Sequence, residues 1–115
     1  MEVQGKYWGK TSPIFHRNNV EIHRLEGRKG GFSSEHLHRA KSNMFVVERG
    51  KIRIIAWKDR SGRPDETVLG PGDTSIVPPG LYHKFEVVED CVAYEIYWVE
   101  LDPEDIKRRN HGGTR

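Results

Sequence analysis

The chain has a single cysteine, Cys91, so no disulfide can form within it, and this usage fits a reducing compartment. It has no apolar run of membrane length. Its opening residues, Met1-Glu2-Val3-Gln4, lack the basic start and apolar stretch of a signal peptide. The expectation is a cytoplasmic protein with no membrane partner. Charge of one sign is not in excess either: 19 Lys and Arg stand against 17 Asp and Glu, interspersed, for a net charge of +2. That balance leaves no electrostatic footprint for nucleic acid. The one basic cluster, Lys107-Arg108-Arg109, reads as a solvated face. Linkers, repeats and low-complexity tracts are also missing. A length of 115 residues suffices for one hydrophobic core but not two, so a single domain over 1–115 is expected.

In place of helical periodicity the chain has short β-runs separated by Gly and Pro punctuation. Val20 to Glu26 alternates apolar with polar, and Gly27-Arg28-Lys29-Gly30-Gly31 turns. Phe32 to His38 and Met44 to Glu48 follow, and Arg49-Gly50 reads as a turn into Lys51 to Trp57. Lys58 to Pro64 forms a polar hairpin loop. Thr67 to Leu69, Thr74 to Val77, Tyr82 to Val88 and Cys91 to Leu101 complete the series. Many short strands of this kind predict an all-β fold, a small antiparallel jelly-roll β-barrel with its core over about 14–101. Only the end reads as helical, over 102–110. Asp102 can cap, Pro103 suits the first helical position, and Glu104-Asp105 favour the positive end of the helix dipole. Residues 111–115 read as a loose tail. Tyr94, Tyr97 and Trp98 make the last strand aromatic on both faces, which predicts an edge covered by a second copy in a homodimer.

His36 and His38 are two residues apart, which on a strand places both imidazoles on one face. His83 follows the Pro78-Pro79-Gly80 turn, which could deliver a third imidazole from a neighbouring strand. Three convergent neutral imidazoles make a site for a divalent metal with coordination positions left for water or substrate. An i, i+2 histidine pair is weak evidence alone, and its frame of glycines and prolines strengthens it. Gly30, five residues, His36, one residue, His38, four residues, Asn43, six residues, Gly50 is one ordered pattern. Gly72, five residues, Pro78, one residue, Gly80, two residues, His83 is another. Phe45 and Val47 share a face with Asn43, and Phe85 and Val87 share one with His83, so they would line the barrel beneath the metal or serve simply as core. His23 could face either way. His16 and His111 fall in expected loops.

On these two patterns the chain resembles the cupin superfamily, small jelly-roll barrels whose mouth holds a divalent metal. It departs at Asn43, where the family usually has Glu, and at Val87, where it usually has Asn. The resemblance implies one divalent ion (zinc, manganese, iron or nickel) held by His36, His38 and His83, with Asn43 Oδ1 as a fourth ligand or the three histidines alone. Without an anionic ligand the site would keep the ion's full charge and favour an anionic or sugar substrate.

Among cupins the chain is most similar to the isomerase domain of type II mannose-6-phosphate isomerases. The matching pieces are Tyr7-Trp8-Gly9, Val20-Glu21-Ile22-His23-Arg24-Leu25, His38-Arg39-Ala40, Glu95-Ile96 and Glu104-Asp105-Ile106-Lys107-Arg108. That class carries Gln, His, Glu and His where this chain has His36, His38, Asn43 and His83, and it closes on an aromatic-Gly-Arg that is absent here. The resemblance implies aldose–ketose isomerisation, with Glu95 as the proton-transferring base and Arg108 holding a phosphate. Two other functions are compatible with the same residues. One is a three-histidine metal-dependent dioxygenase; the other is a non-catalytic cupin that binds a sugar or other small ligand.

Overall fold

The computed structural model describes residues 4–59, 62–100 and 102–114. It contains seven strands: β1 (Gln4–Lys6), β2 (Gly9–Arg17), β3 (Val20–Gly27), β4 (Lys41–Trp57), β5 (Asp65–Leu69), β6 (Thr74–Val77) and β7 (Tyr82–Val99). All pair antiparallel, in the order β1-β2-β3-β7-β4-β5, with β6 also on β4. Among the described residues there is no helix, and so none long and apolar enough to cross a membrane.

Two long strands generate the jelly roll. The first half of β4 lies between β6 and the second half of β7, and its second half lies between β5 and the first half of β7. Each long strand therefore has different neighbours along its two halves, and it bends where one set gives way to the other. The bend is built from irregular pairing between Val47 and Ile52, where extra residues increase the local twist. Gly50 sits there with φ of 81°, and a Cβ on it would collide with the Asp90 carbonyl of β7. Alternation then fixes the interior. Leu25, Phe45, Val47, Ile52, Ile54, Phe85, Val87 and Ala93 form one buried cluster with Trp8, whose ring meets that of Phe85 edge-on at 4.9 Å.

Several expectations need correction. Arg49-Gly50 is a bulge within one continuous strand rather than a turn, because φ > 0 at a glycine serves either purpose. The expected break between Val88 and Cys91 is likewise absent, and β7 runs through it to Val99. The segment from Phe32 to His38 is not a regular strand. It touches β7 through two isolated bridges, Phe32 to Glu86 and His36 to His83, whose registers differ by one residue. Strands β1 and β2 lie where no strand was expected, and they place His16 on β2. Beyond β7, the 102–110 segment forms a turn, not a helix. Asp102 Oδ1 does accept from the Glu104 amide at 2.9 Å, as a cap would. However, the residues that follow are exposed, Ile106 among them, and a helix this short with no face to bury does not persist. The aromatic strand is not an edge either, since β7 lies between β3 and β4, with Tyr97 facing the interior. Met1 to Val3, Arg60 and Ser61 of the polar loop, Leu101 at the expected end of the last strand, and Arg115 lie outside the described residues.

The bulge carries a stability prediction. Gly50→Val places a β-branched residue at positive φ against the β7 backbone, and it should cost about 2 kcal/mol or more. Urea denaturation reads this as a lowered midpoint; an unchanged midpoint would contradict the bulge.

Candidate metal centre

His36 and His83 are held by reciprocal backbone hydrogen bonds. The His36 amide donates to the His83 carbonyl at 3.0 Å, and the His83 amide donates to the His36 carbonyl at 2.8 Å. Residues paired in this way are directly opposite one another, so their side chains project together. His38 is tied in by the turn that precedes β7. Gly80, at φ of 88°, donates its amide to the His38 carbonyl at 2.8 Å. The one-residue slip between the Phe32 and His36 bridges is a bulge that sets the register of this arm, and Ser33 Oγ fills the gap by accepting from the Phe85 amide at 3.0 Å.

The result is three imidazoles with ring centroids 4.7 to 5.4 Å apart, whose candidate ligand atoms all lie within 4.8 Å of one another. Their tautomers follow from their partners. His83 Nδ1 lies 3.0 Å from the Leu81 carbonyl and His36 Nδ1 lies 2.9 Å from the Ser34 carbonyl. A carbonyl can only accept, so both Nδ1 atoms carry the proton and both Nε2 atoms present a lone pair. Such a contact on the far ring nitrogen is how metal-binding imidazoles are oriented. Burial holds His38 below the ordinary imidazole value of 6.5, at about 4, with the charges of His36, Lys41 and His83 acting in the same sense. Burial also lowers His83, while the Leu81 carbonyl and the Glu95 charge oppose the shift. Both rings are therefore neutral at physiological pH, the form a metal requires.

Three buried side-chain atoms lack any hydrogen-bond partner among the described residues: His38 Nε2, His83 Nε2 and Asn43 Oδ1. Buried polar atoms are rarely left unsatisfied, and lone pairs at such positions fit a cation. The donor set passes that test.

Glu95 lines an open cavity of about 910 Å³ together with His36 and His38. Its carboxylate accepts from Asn43 Nδ2 at 2.9 Å and from the Tyr97 hydroxyl. Because a carboxylate can only accept, the Asn43 amide is turned with Nδ2 toward Glu95. Burial and the neighbouring Glu95 charge raise Tyr97 well above the ordinary phenol range, so it remains a donor. The strand register explains this grouping. Asn43 is directly opposite Tyr97, and Tyr97 is opposite Glu21. Phe45 is opposite Glu95, and Glu95 is opposite His23. The three histidines thus cluster, Asn43 is bonded to Glu95, and Glu95 shares its cavity with His36 and His38. Arg108 does not join them; it is exposed on the C-terminal segment and is not among the residues lining the cavity. Tyr97 and His23, which sequence reasoning gave no role here, do line it, and their rings meet at 5.7 Å. Period-two alternation inward from Ala93 through Glu95 to Tyr97 was the available signal for Tyr97.

The cupin domain family model matches residues 13–100, and the chain belongs to that family. No curated protein matches the chain in sequence. Solved structures share its fold at low identity. KdgF from Halomonas sp. superposes with a TM-score of 0.74 at 15% identity, covering 89% of each chain. The capsular polysaccharide assembling protein CapF from Staphylococcus aureus has a TM-score of 0.73 at 19% identity, over 90% of this chain and 30% of that one. Bacillus subtilis oxalate decarboxylase, a protein with Mn(II) centres, has a TM-score of 0.72 at 18% identity, over 86% and 27%.

Two measurements check the site. Elemental analysis of the purified protein should find close to one divalent metal ion per chain, and almost none in a His36→Ala/His83→Ala double variant; equal metal in both would rule out the assigned ligands. The second concerns acid. Between pH 6.5 and about 4 the unfolded chain binds a proton at His38 that the folded, metal-free chain does not, so stability falls as pH falls through that window. Thermal melts of chelator-treated protein should show this decline, and His38→Gln should make it shallower, leaving the part that the lowered His83 contributes. A wild-type melting temperature that does not change across the window would contradict the buried neutral ring.

Proposed function

We propose that the protein is a metal-dependent cupin that acts on a small anionic sugar derivative, and that its reaction is an aldose–ketose isomerisation like that of the type II mannose-6-phosphate isomerases. The observation that carries the proposal is a carboxylate, Glu95, fixed by two donors in the cavity lined by His36 and His38, two of the three clustered histidines. His36, His38 and His83 would hold the ion, with the unpartnered Asn43 Oδ1 as a fourth ligand. The ion would supply Lewis-acid polarisation of a carbonyl and its neighbouring hydroxyl.

Glu95 then takes the proton from the carbon next to the carbonyl and returns it to the former carbonyl carbon. The hydroxyl proton passes between the two oxygens, so the reaction is redox-neutral. Asn43 and Tyr97 act as positioning residues: both of their hydrogen bonds end on Oε2, which aims the carboxylate and leaves Oε1 to take the proton. Trp8, Phe85 and Phe32 line the apolar side of the cavity, where they limit water near the transferred proton. The assembly proposed with this function is a homodimer in the cytoplasm. Tyr7 and Phe32 stand exposed at the cavity mouth and would be covered by a second copy. Light scattering at micromolar concentration should give twice the chain mass, and a monomer would contradict this assembly.

The direct test is incubation of the manganese- or zinc-loaded protein with mannose 6-phosphate in deuterium oxide. Fructose 6-phosphate should form, with deuterium entering at the carbon that Glu95 protonates. Glu95→Gln should lower turnover by about 10²–10⁴-fold while metal content stays unchanged. Oxygen uptake without ketose would point to a dioxygenase instead, and tight binding without turnover to a binding module. Either result overturns the isomerase reading.

A further inference from the structure

Lys41 opens β4 two residues before Asn43, so its side chain shares the inward face of that strand and lines the cavity. Its Nζ lies 4.6 Å from the centroid of the Tyr97 ring, the same ring whose hydroxyl holds Glu95 and whose edge meets His38 at 5.3 Å. The aromatic face steadies the ammonium without neutralising it. Among the described residues, Lys41 has no carboxylate within ion-pair distance. The two acidic residues of the cavity wall are otherwise engaged. Glu95 is taken by Asn43 and Tyr97, and Glu21 by His23 at 3.3 Å and His16 at 3.6 Å. Lys41 is thus a half-buried cation beside the histidines; its charge helps to lower the Glu21 carboxyl from beyond ion-pair distance, which leaves its donors open to the cavity.

We infer that Lys41 is an anion subsite, which binds the phosphate or carboxylate of a ligand whose opposite end lies at His36, His38 and His83. An ammonium is a compact point charge with three donors, suited to either anion. The inference deepens the sugar-derivative reading and rests on it for the site's occupant. It also replaces the exposed Arg108 with a residue inside the cavity as the group that selects for charge.

The test measures binding rather than turnover, so that it stands apart from the isomerisation. Titration calorimetry of the metal-loaded protein with mannose 6-phosphate and with mannose gives the preference for the phosphorylated ligand. We expect the wild type to prefer mannose 6-phosphate by about tenfold or more. Lys41→Met keeps the alkyl stem on Tyr97 and should reduce the preference to about threefold or less. Its unchanged affinity for mannose would confirm an intact site. Lys41→Arg and Arg108→Met should both keep the wild-type preference. A Lys41→Met variant with undiminished preference, a wild type with none, or a collapse only in Arg108→Met would each overturn the inference. A Lys41-dependent preference without ketose formation would remove the isomerase reading and leave the subsite standing.

Discussion

The centre of this molecule depends on two backbone hydrogen bonds, those that His36, on the irregular segment before β4, and His83, on β7, exchange across 47 residues of sequence (83 minus 36). They make the two residues direct neighbours and oblige both side chains to rise on one side of the sheet. The Gly80 amide then fastens His38 to the same turn. Once the backbone is set this way, little rotameric freedom remains. Two imidazoles are locked by carbonyls two residues upstream, and burial keeps His38 and His83 neutral.

That arrangement is costly unless something occupies it. An unpaired buried polar atom costs about 1–3 kcal/mol, and there are three among the described residues, while whole domains are stable by only about 5–15 kcal/mol. A chain that merely needed a barrel would place apolar residues at these positions, as it does one layer deeper with Phe45, Val47, Phe85 and Val87. The lone pairs of two histidines and an asparagine carbonyl are the kind of ligand a divalent cation takes. The neutrality of the set leaves the ion's charge for the substrate. Glu95, Tyr97, Asn43 and Lys41 then extend the site along one inward face of β4 and β7, from the histidines toward the rim.

Much of this was legible in sequence, for reasons that particular residues make plain. His36, His38 and His83 stand in a frame of Gly30, Gly50, Gly72, Pro78 and Gly80, and a frame of this length is specific where a histidine pair is not. Glu95 could be named from a resemblance, but its partners required the register that sets Asn43 opposite Tyr97. Gly50 was misread because positive φ serves turn and bulge alike. Strand β2 was missed because Pro13 discourages a strand assignment, yet it sits beside a bulge, where proline is tolerated. The 102–110 helix was expected from its cap, and a cap without an apolar face to dock yields only a turn. Arg108 lies on the same segment, whose described residues are exposed and which does not line the cavity.

The central claim is that His36, His38 and His83 share one divalent cation. X-ray absorption spectroscopy of the metal-loaded protein tests it most directly. A first shell of nitrogen and oxygen with the outer scattering of three imidazoles per ion is the expected result, and the His36→Ala/His83→Ala variant, which retains almost no metal, should lose that signal. A shell of oxygen alone, or imidazole scattering that the double variant leaves intact, would contradict the account.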